Sequence, residues 1–413
     1  MRDFFLSVRT LCLAAAVAGA AAASSGEVVL HAFGVSAGDG SSLYGSLIFD
    51  KSGDLYGTAE FGGAHGSGVV YRLTPSSGGQ WTETILYSFK GGAQDGATPH
   101  DALVMDSAGN LYGTTTAGGG GKCRGGCGTV FQLSPTTSGP WTETVLCRFS
   151  GGADGSVPYA GLTRDALGNL YGATSGGGAN GAGGIYKLAS SGGVWTETVL
   201  HSFTGTPDGS APYVTPVFDN AGNLYGTTYS GGAAGKGTVY ELSPQANGTW
   251  TETVLHSFHG SADGSDLFEP LVLDAAGNLY GAAETGGSAN CGVAFKLARN
   301  SSGAWKLTIL HTFLGINGQD GENPNSLIFD AAGNLWGTSV GGGLYNPGTI
   351  FKITPQSSDA WTETVLHSFT GGNDGAYPSV GLVMDKAGHL FGTTLWGGPA
   401  GDTTGGVAFE YVP

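Results

Sequence analysis

Basic side chains are scarce in this sequence: 16 Lys and Arg stand against 32 Asp and Glu, a formal net charge of −16. A surface of that sign repels phosphate backbones, which argues against nucleic acid as a partner. Charge of either sign is low, at 12% of the 413 residues. Helical periodicity is missing, and no apolar run follows the first two dozen residues, so no membrane span is expected in the mature chain. The catalytic signatures G-x-S-x-G and H-E-x-x-H are absent, and no Cys lies beside a plausible base. Glycine is abundant, 78 residues in all, yet no Gly-rich turn opens a helix, which excludes a nucleotide-phosphate cradle. Low complexity is excluded as well, because 40% of residues are hydrophobic, 10% are aromatic, and the glycines recur at fixed positions.

The first 23 residues read as a signal peptide. Arg2 and Arg9 supply the positive segment, Leu11 to Ala23 the apolar one, and Ala21-Ala22-Ala23 the small residues before a cut at Ser24. Cys12 follows Leu11 rather than a small residue, which argues against a lipoprotein anchor. Cleavage would remove Arg2, Arg9 and Asp3 and shift the charge from −16 to −17. The expected location is outside the cytoplasm, periplasmic or extracellular. Four cysteines remain, Cys123, Cys127, Cys147 and Cys291. Cys123 and Cys127 share one Gly-rich loop and are expected to form a local disulfide in an oxidising compartment. A zinc site is the alternative, but it needs four ligands at matching spacings and none are supplied; no metal is expected there.

What is present is a repeat. Trp81, Trp141, Trp195, Trp250, Trp305 and Trp361 mark six copies of W-T-E-T-[VI]-L or its close variant, spaced by 60, 54, 55, 55 and 56 residues. A seventh, shorter copy, EVVLHAF, ends at Phe33. Each copy continues with a G-x-x-D-G-like loop, a short apolar strand, a turn D-x-x-G-[ND], a strand of the type L-Y-G-T, a second Gly-rich loop, and G-T-V-[FY]-x-L. Glycine in the turn (Gly53, Gly109, Gly168, Gly222, Gly277, Gly333, Gly388) supplies positive φ, and the Asp before it bonds turn amides. In the outer strand of the second copy, alternation puts Trp141, Glu143, Val145, Cys147 and Phe149 on one face. Thr251, Glu252 and Thr253 read as a polar edge that resists pairing with other molecules, and the repeated Trp as a lid between neighbouring units.

Four short strands in a period near 56 residues predict propeller blades. The expected fold is all-β: one domain over residues 24–413, a seven-bladed β-propeller with four strands per blade. The chain starts with an outer-type strand, Val28 to Phe33, and ends with a third-type strand, Val407 to Tyr411. Pairing of the N-terminal strand in the last blade would therefore close the ring.

The units P-x-x-G-L-x-x-D-A-x-G-N-L-Y-G-T-T-x-x-G-G and G-T-V-[FY]-x-L-x-P…W-T-E-T-V-L-H-S-F resemble the GloVer tandem repeats of secreted bacterial choice-of-anchor proteins. The resemblance spans the mature chain and implies a secreted repeat scaffold. Members often end in an anchor segment, whereas this sequence stops at Tyr411-Val412-Pro413. More distantly the pattern is similar to NHL-type and gluconolactonase-type propellers, which include binding scaffolds and metal-dependent lactonases; that likeness is one of fold.

A residue present in every copy serves the architecture, since one site needs one copy. By that rule the loop residues Asp39, Asp95, Asp154, Asp208, Asp263, Asp320 and Asp374 read as turn formers, with calcium as the alternative. The outer-strand position His31, His201, His256, His311 and His367 becomes Tyr87 and Cys147 elsewhere, which suits packing or hydrogen bonding better than a metal ring. Function is sought instead where the copies differ. Just before each inner strand they read Tyr44-Gly45, His100-Asp101, Tyr159-Ala160, Tyr213-Val214, Phe268-Glu269, Pro324-Asn325 and Ser379-Val380. Glu60, Glu284, Tyr229 and Trp396 fall in the second loop set, expected on the same side of the disc.

Tyr44, His100, Asp101, Tyr159, Tyr213, Phe268, Glu269 and Asn325 are the candidate ligand-binding residues. Flat aromatic rings and carboxylates suit a neutral or cationic ligand, such as an extracellular glycan or another small molecule. The alternative is a lactonase-like hydrolase in which Asp101, Glu269 and Asn325 converge on a divalent cation.

Overall fold

The computed structural model describes residues 26–413 apart from 37, 77–78, 138, 357–359, 400 and 402–404. The expected leader, 1–23, lies outside the described residues. Among the described residues, all regular structure apart from one 3-10 turn, Gly315–Gly318, is strand. Among the described residues no helix is long and apolar enough to cross a membrane.

The turn motif explains why strands form where they do. In the second copy Asp106 Oδ1 accepts hydrogen bonds from the Ala108 and Asn110 amides, both at 2.9 Å, and Gly109 takes φ +84° between them. Asp106 Oδ2 accepts from the Tyr112 hydroxyl at 3.0 Å, so the same carboxylate ties the turn to the following strand. Asp165, Asp219 and Asp274 do the same with Tyr171, Tyr225 and Tyr280; in the sixth copy the Trp336 indole N–H replaces the hydroxyl, 2.9 Å from Asp330. Burial alone would raise these carboxyls, but the donors around them hold all five below the usual range. The glycine of L-Y-G-T is set by contact: a Cβ on Gly113 would lie 2.6 Å from the Phe131 ring.

Seven antiparallel blade sheets result among the described residues, six of four strands and one of five, with a two-stranded ribbon, Gly40–Ser41 on Phe61–Gly62, beside the first. Blade 1 runs Ile48–Phe49, Leu55–Ala59, Val69–Pro75, Trp81–Ser88; blade 2 runs Val104–Met105, Leu111–Gly118, Thr129–Ser134, Thr142–Arg148, with Gly96–Pro99 as an added inner strand. Blades 3 to 6 repeat the order and end in Val194–Ser202, Trp250–Ser257, Trp305–Thr312 and Trp361–Ser368. Blade 7 consists of Val383–Met384, Leu390–Thr393, Gly406–Tyr411 and, as its outer strand, Glu27–Phe33. Val28 pairs with Glu410 and Phe33 with Gly406, so the N-terminal strand closes the ring as the sequence predicts.

The apolar interior is divided into seven clusters, and each is shared by two blades. The cluster at the closing joint holds Leu30, Phe33, Phe391 and Ala408 of blade 7 with Leu47, Leu55, Tyr71 and Leu73 of blade 1. Each repeated Trp packs on the preceding blade's L-Y-G aromatic, as in Trp141 on Tyr56 (6.4 Å), Trp195 on Tyr112 (6.1 Å) and Trp81 on Phe391 (6.3 Å).

Strict alternation in the outer strand does not hold. All seven outer strands carry a register shift at the same place; in blade 2 Val130 faces Cys147 while Phe131 faces Val145, leaving Leu146 as the extra residue. Such a bulge turns the strand over. Trp141 therefore packs with blade 1, whereas Cys147 and Phe149 pack with blade 3.

The bulge also redirects the polar residues. The Thr residues of W-T-E-T point outward, but the Glu turns in beside the loop Asp that precedes its blade. It is not an edge charge. His31, Asp39 and Glu83 meet this way at the closing joint, and His201, Asp208 and Glu252 between blades 3 and 4. Burial first, and then the neighbouring Asp, push Glu83, Glu143, Glu197, Glu252 and Glu363 up to about 7 and Glu27 to about 8. Blade 5 has Leu307 at this position, packed into the apolar cluster instead.

A carboxyl raised in the folded state opposes folding once pH exceeds its unfolded value, in full above its folded value. These six glutamates therefore predict a melting temperature that falls as pH rises from about 4.5 to about 8. The depressed turn aspartates predict a separate loss as pH drops below about 4. Scanning calorimetry from pH 3 to 9 checks both; Glu252→Gln should raise Tm at pH 8 and leave it unchanged at pH 4.5, and Leu307→Glu should do the reverse at pH 8. Removing residues 26–33 takes Leu30 and Phe33 from the closing joint and should lower Tm by about 10 °C or more.

Candidate functional site

Each blade presents at the axis three residues that end one residue short of its inner strand, or in blade 6 lie within the strand Gly321–Phe329, and the frame holds them through backbone contacts. The Thr58 hydroxyl of blade 1 donates to the Asp101 carbonyl of blade 2 (3.2 Å), Thr114 to Ala160 (2.8 Å) and Thr338 to Val380 (3.1 Å). The first of the three residues then projects over the channel. In five consecutive blades it carries a ring: Tyr44 stacks on His100 (4.7 Å, 12°), His100 meets Tyr159 edge-on (4.8 Å), Tyr159 meets Tyr213 (5.1 Å), and Tyr213 meets Phe268 (5.2 Å). Tyr229, from the second loop set of blade 4, joins the end of this arc, 4.7 Å from Phe268 and 5.6 Å from Tyr213. Both loop sets thus share one rim. Blades 6 and 7 interrupt the arc with Ser326, Ser379, Val380 and Gly381.

Together these residues line a funnel open to solvent, with Glu269, Glu284 and Asp101 in its wall. Seven of the eight sequence-derived candidates line it: Tyr44, His100, Asp101, Tyr159, Tyr213, Phe268 and Glu269. Asn325 does not. It is 1% exposed, and its amide donates to the Pro378 carbonyl at 2.5 Å and to Thr338 at 2.9 Å, fastening blade 6 to blade 7. Trp396 packs on Tyr377, away from the lining. Ser46, Pro270, Ser326 and Gly381 line the throat without having been singled out; their signal is position alone, two residues after the ring position.

Asp101 serves the frame more than the cavity. Its Oδ1 accepts from the Ala102 amide (2.6 Å), and its Oδ2 from the Gly161 amide (2.6 Å) and the Thr215 hydroxyl (3.0 Å), linking blades 2, 3 and 4. Burial raises its pKa despite those donors. Glu269 stands differently. Burial, then Glu284 and Asp101, push it well above the usual carboxylate range, against hydrogen bonds from the Ser326 amide and hydroxyl. Burial also lowers His100 to about 4, so the stacked imidazole is neutral at pH 7. Among the described residues no Lys or Arg lines the funnel.

Of the trio Asp101, Glu269 and Asn325, the first two line the funnel and Asn325 does not; Asp101 Oδ2 and the Asn325 amide nitrogen are engaged with neighbouring blades. Three-residue groups with ligand atoms within 4.8 Å of one another are His31–Asp39–Glu83 and His311–Asp320–Glu363 among the described residues, both at blade interfaces and outside the funnel lining. The loop aspartates accept hydrogen bonds from their own loops, as Asp95 does from Lys90 and Gly96. Cys123 and Cys127 are bonded, Cα atoms 5.0 Å apart, in the loop between the second and third strands of blade 2.

Residues 21–213, 120–319 and 292–413 match the profile of the Gloeobacter/Verrucomicrobia repeat, overlapping segments that together span nearly the whole chain. The chain belongs to this repeat family. No curated protein matches it in sequence. Among solved structures the Gloeobacter/Verrucomicrobia repeat protein is similar in fold to a protein of unknown function from Dyadobacter fermentans DSM 18053 (12% identity, 94% of this chain and 99% of that one, TM-score 0.46). It is also similar to an ulvan lyase of polysaccharide lyase family PL25 (13%, 82% and 86%, TM-score 0.50). A third is a candidate 6-phosphogluconolactonase from Bacteroides uniformis ATCC 8492 (15%, 77% and 83%, TM-score 0.49).

Because Asp101 ties three blades, Asp101→Ala should cost about 2 kcal/mol or more of stability by stranding the Gly161 amide and the Thr215 hydroxyl. Urea denaturation measures it; a loss below about 0.5 kcal/mol would contradict the buttress role.

Proposed function

We propose that this repeat protein is a non-enzymatic binding propeller that acts outside the cytoplasm and holds a carbohydrate in the funnel. The carrying observation is the unbroken arc of rings from Tyr44 through Phe268. Aromatic faces stack on the C–H faces of sugar rings, and carboxylates accept their hydroxyl hydrogen bonds. The open sector at Ser326, Ser379 and Gly381 leaves room for one end of an oligosaccharide. The sign of the site restricts the sugar: carboxylates without Lys or Arg disfavour phosphorylated, sulfated or uronic-acid ligands and admit neutral or cationic ones. Placement outside the cytoplasm is supported by the leader-like residues 1–23 and by the Cys123–Cys127 disulfide.

A glycan array followed by titration calorimetry tests the reading. Tyr159→Ala and Tyr213→Ala should each weaken binding of the leading neutral or amino glycan about 10-fold or more with circular dichroism unchanged. An array without hits, or hits indifferent to both substitutions, would overturn it.

A further inference from the structure

Away from the funnel, we propose that the closing joint is a metal site: one divalent transition-metal ion, zinc being the representative, held by His31 Nε2 and by the carboxylates of Asp39 and Glu83. The three residues come from the N-terminal strand Glu27–Phe33, the loop after it, and the outer strand of blade 1, Trp81–Ser88. Their ligand atoms all lie within 4.8 Å of one another. His31 Nε2 is 3.9 Å from Asp39 Oδ1 and 3.8 Å from Glu83 Oε2, too far for a hydrogen bond to either. Two ligands of a tetrahedral zinc with bonds of about 2.1 Å stand about 3.4 Å apart, so small side-chain rotations bring these atoms round one ion. One imidazole nitrogen with two carboxylates is a donor set that zinc and its transition-metal neighbours accept. Calcium and magnesium take oxygen alone.

A second observation points the same way. His31 Nε2 and Glu83 Oε1 are shut off from solvent, and among the described residues neither has a hydrogen-bond partner. A buried polar atom left unpaired is costly, so two in one place mark a missing partner. The residue types are those of other joints, and the spacing is what differs. His201 and His256 each stand 3.2 Å from their loop Asp, and His311 stands 2.8 Å from Asp320, so those imidazoles are already bonded. The His311–Asp320–Glu363 group thus has its nitrogen engaged, and one ion per chain is expected rather than a ring of ions. A proton shared by Asp39 and Glu83 would join the two carboxylates but leave His31 Nε2 as it is; a cation answers all three groups at once. Asp39 is held ready for that role, its side chain 2% exposed and its oxygens fixed by the Gly40 amide (2.8 Å) and the Val35 amide (3.3 Å). The imidazole stands edge-on to Phe33 (4.6 Å), and 21% of the His31 side chain stays exposed, which gives an ion a way in. Once bound, the ion fixes the N-terminal strand against blade 1, in the position from which it pairs with Gly406–Tyr411 and closes the ring.

The experiment uses the full chain without the leader-like residues 1–23, freed of metal by chelation, with the chloride salts of zinc, calcium and magnesium as probes. Titration calorimetry at about pH 7 should give one zinc per chain with a Kd of about 10 μM or tighter. Zinc at about 100 times Kd should raise Tm by about 3 °C, whereas calcium and magnesium should leave it unchanged. Two substitutions taken from the repeat itself remove a ligand without emptying the joint. His31→Tyr copies Tyr87, whose hydroxyl bonds Asp95 at 2.9 Å, and Glu83→Leu copies Leu307. Each should weaken zinc binding about 100-fold or more and abolish the rise in Tm, with the metal-free circular dichroism unchanged. An unaltered protein whose Tm ignores zinc overturns the proposal. So does zinc held equally well by both variants, as an ion on surface carboxylates and imidazoles would be. A rise produced by calcium and not by zinc overturns it as well, by showing a site made of oxygen alone. The comparison of metals is read on the unaltered protein, so it decides the matter even if a variant fails to fold.

Discussion

Burial between blades is the constraint on which everything else depends. No blade owns a core. Each of the seven apolar clusters takes residues from two neighbours, and the bulge in every outer strand exists to face its two ends toward different neighbours. A sheet with two apolar faces is stable only when both are covered. Seven such sheets in an open row would leave one face bare at each end. Closure covers both at once, by placing Leu30 and Phe33 against residues of blades 7 and 1. The joint is thus the most consequential contact of the ring, although it is chemically one more copy of the same interface.

Because the ring is held from between the blades, the residues at the axis are released from the repeat. The three positions before each inner strand need only a backbone carbonyl for the preceding blade's Thr, as Asp101, Ala160 and Val380 provide. Their side chains are free to differ, and they do: rings in five blades, small residues in the other two. An asymmetric funnel on a sevenfold frame follows. The frame borrows some of that variation back, however. Asp101 and Asn325 are one-off choices among the copies, yet Asp101 Oδ2 and the Asn325 amide nitrogen bond neighbouring blades.

That double use marks where the sequence was legible and where it was not. The period, the strand types and the phase of the two chain ends are local features, and they sufficed for blade number and closure. The ring positions were legible because a fixed offset from a repeated turn survives folding unchanged. Asn325 was not, since the sequence cannot tell whether a one-off amide faces the cavity or reaches a carbonyl 53 residues away. The W-T-E-T glutamate was misread as an edge charge for a related reason: the bulge beyond it is set by pairing with the third strand, which no alternation within its own strand reveals. Where the outcome depended on one chain neighbour, residues were enough; where it depended on an adjacent blade, they were not.

The molecule keeps raised carboxyls in two settings, and the contrast separates architecture from function. At the interfaces a Glu lies beside an Asp in six of seven joints, and Leu307 takes the same place in the seventh without loss of the blade. A position that accepts leucine does not require charge, and its neighbours within the protein (His201 bonded to Asp208, Tyr87 to Asp95) absorb the electrostatic conflict. Glu269 and Glu284, with Asp101 at the position in blade 2 that matches Glu269, line the funnel and border open space. The same desolvation acts in both places, so the shift itself distinguishes nothing; what distinguishes the funnel pair is that a ligand can reach it and that rings stand ready beside it.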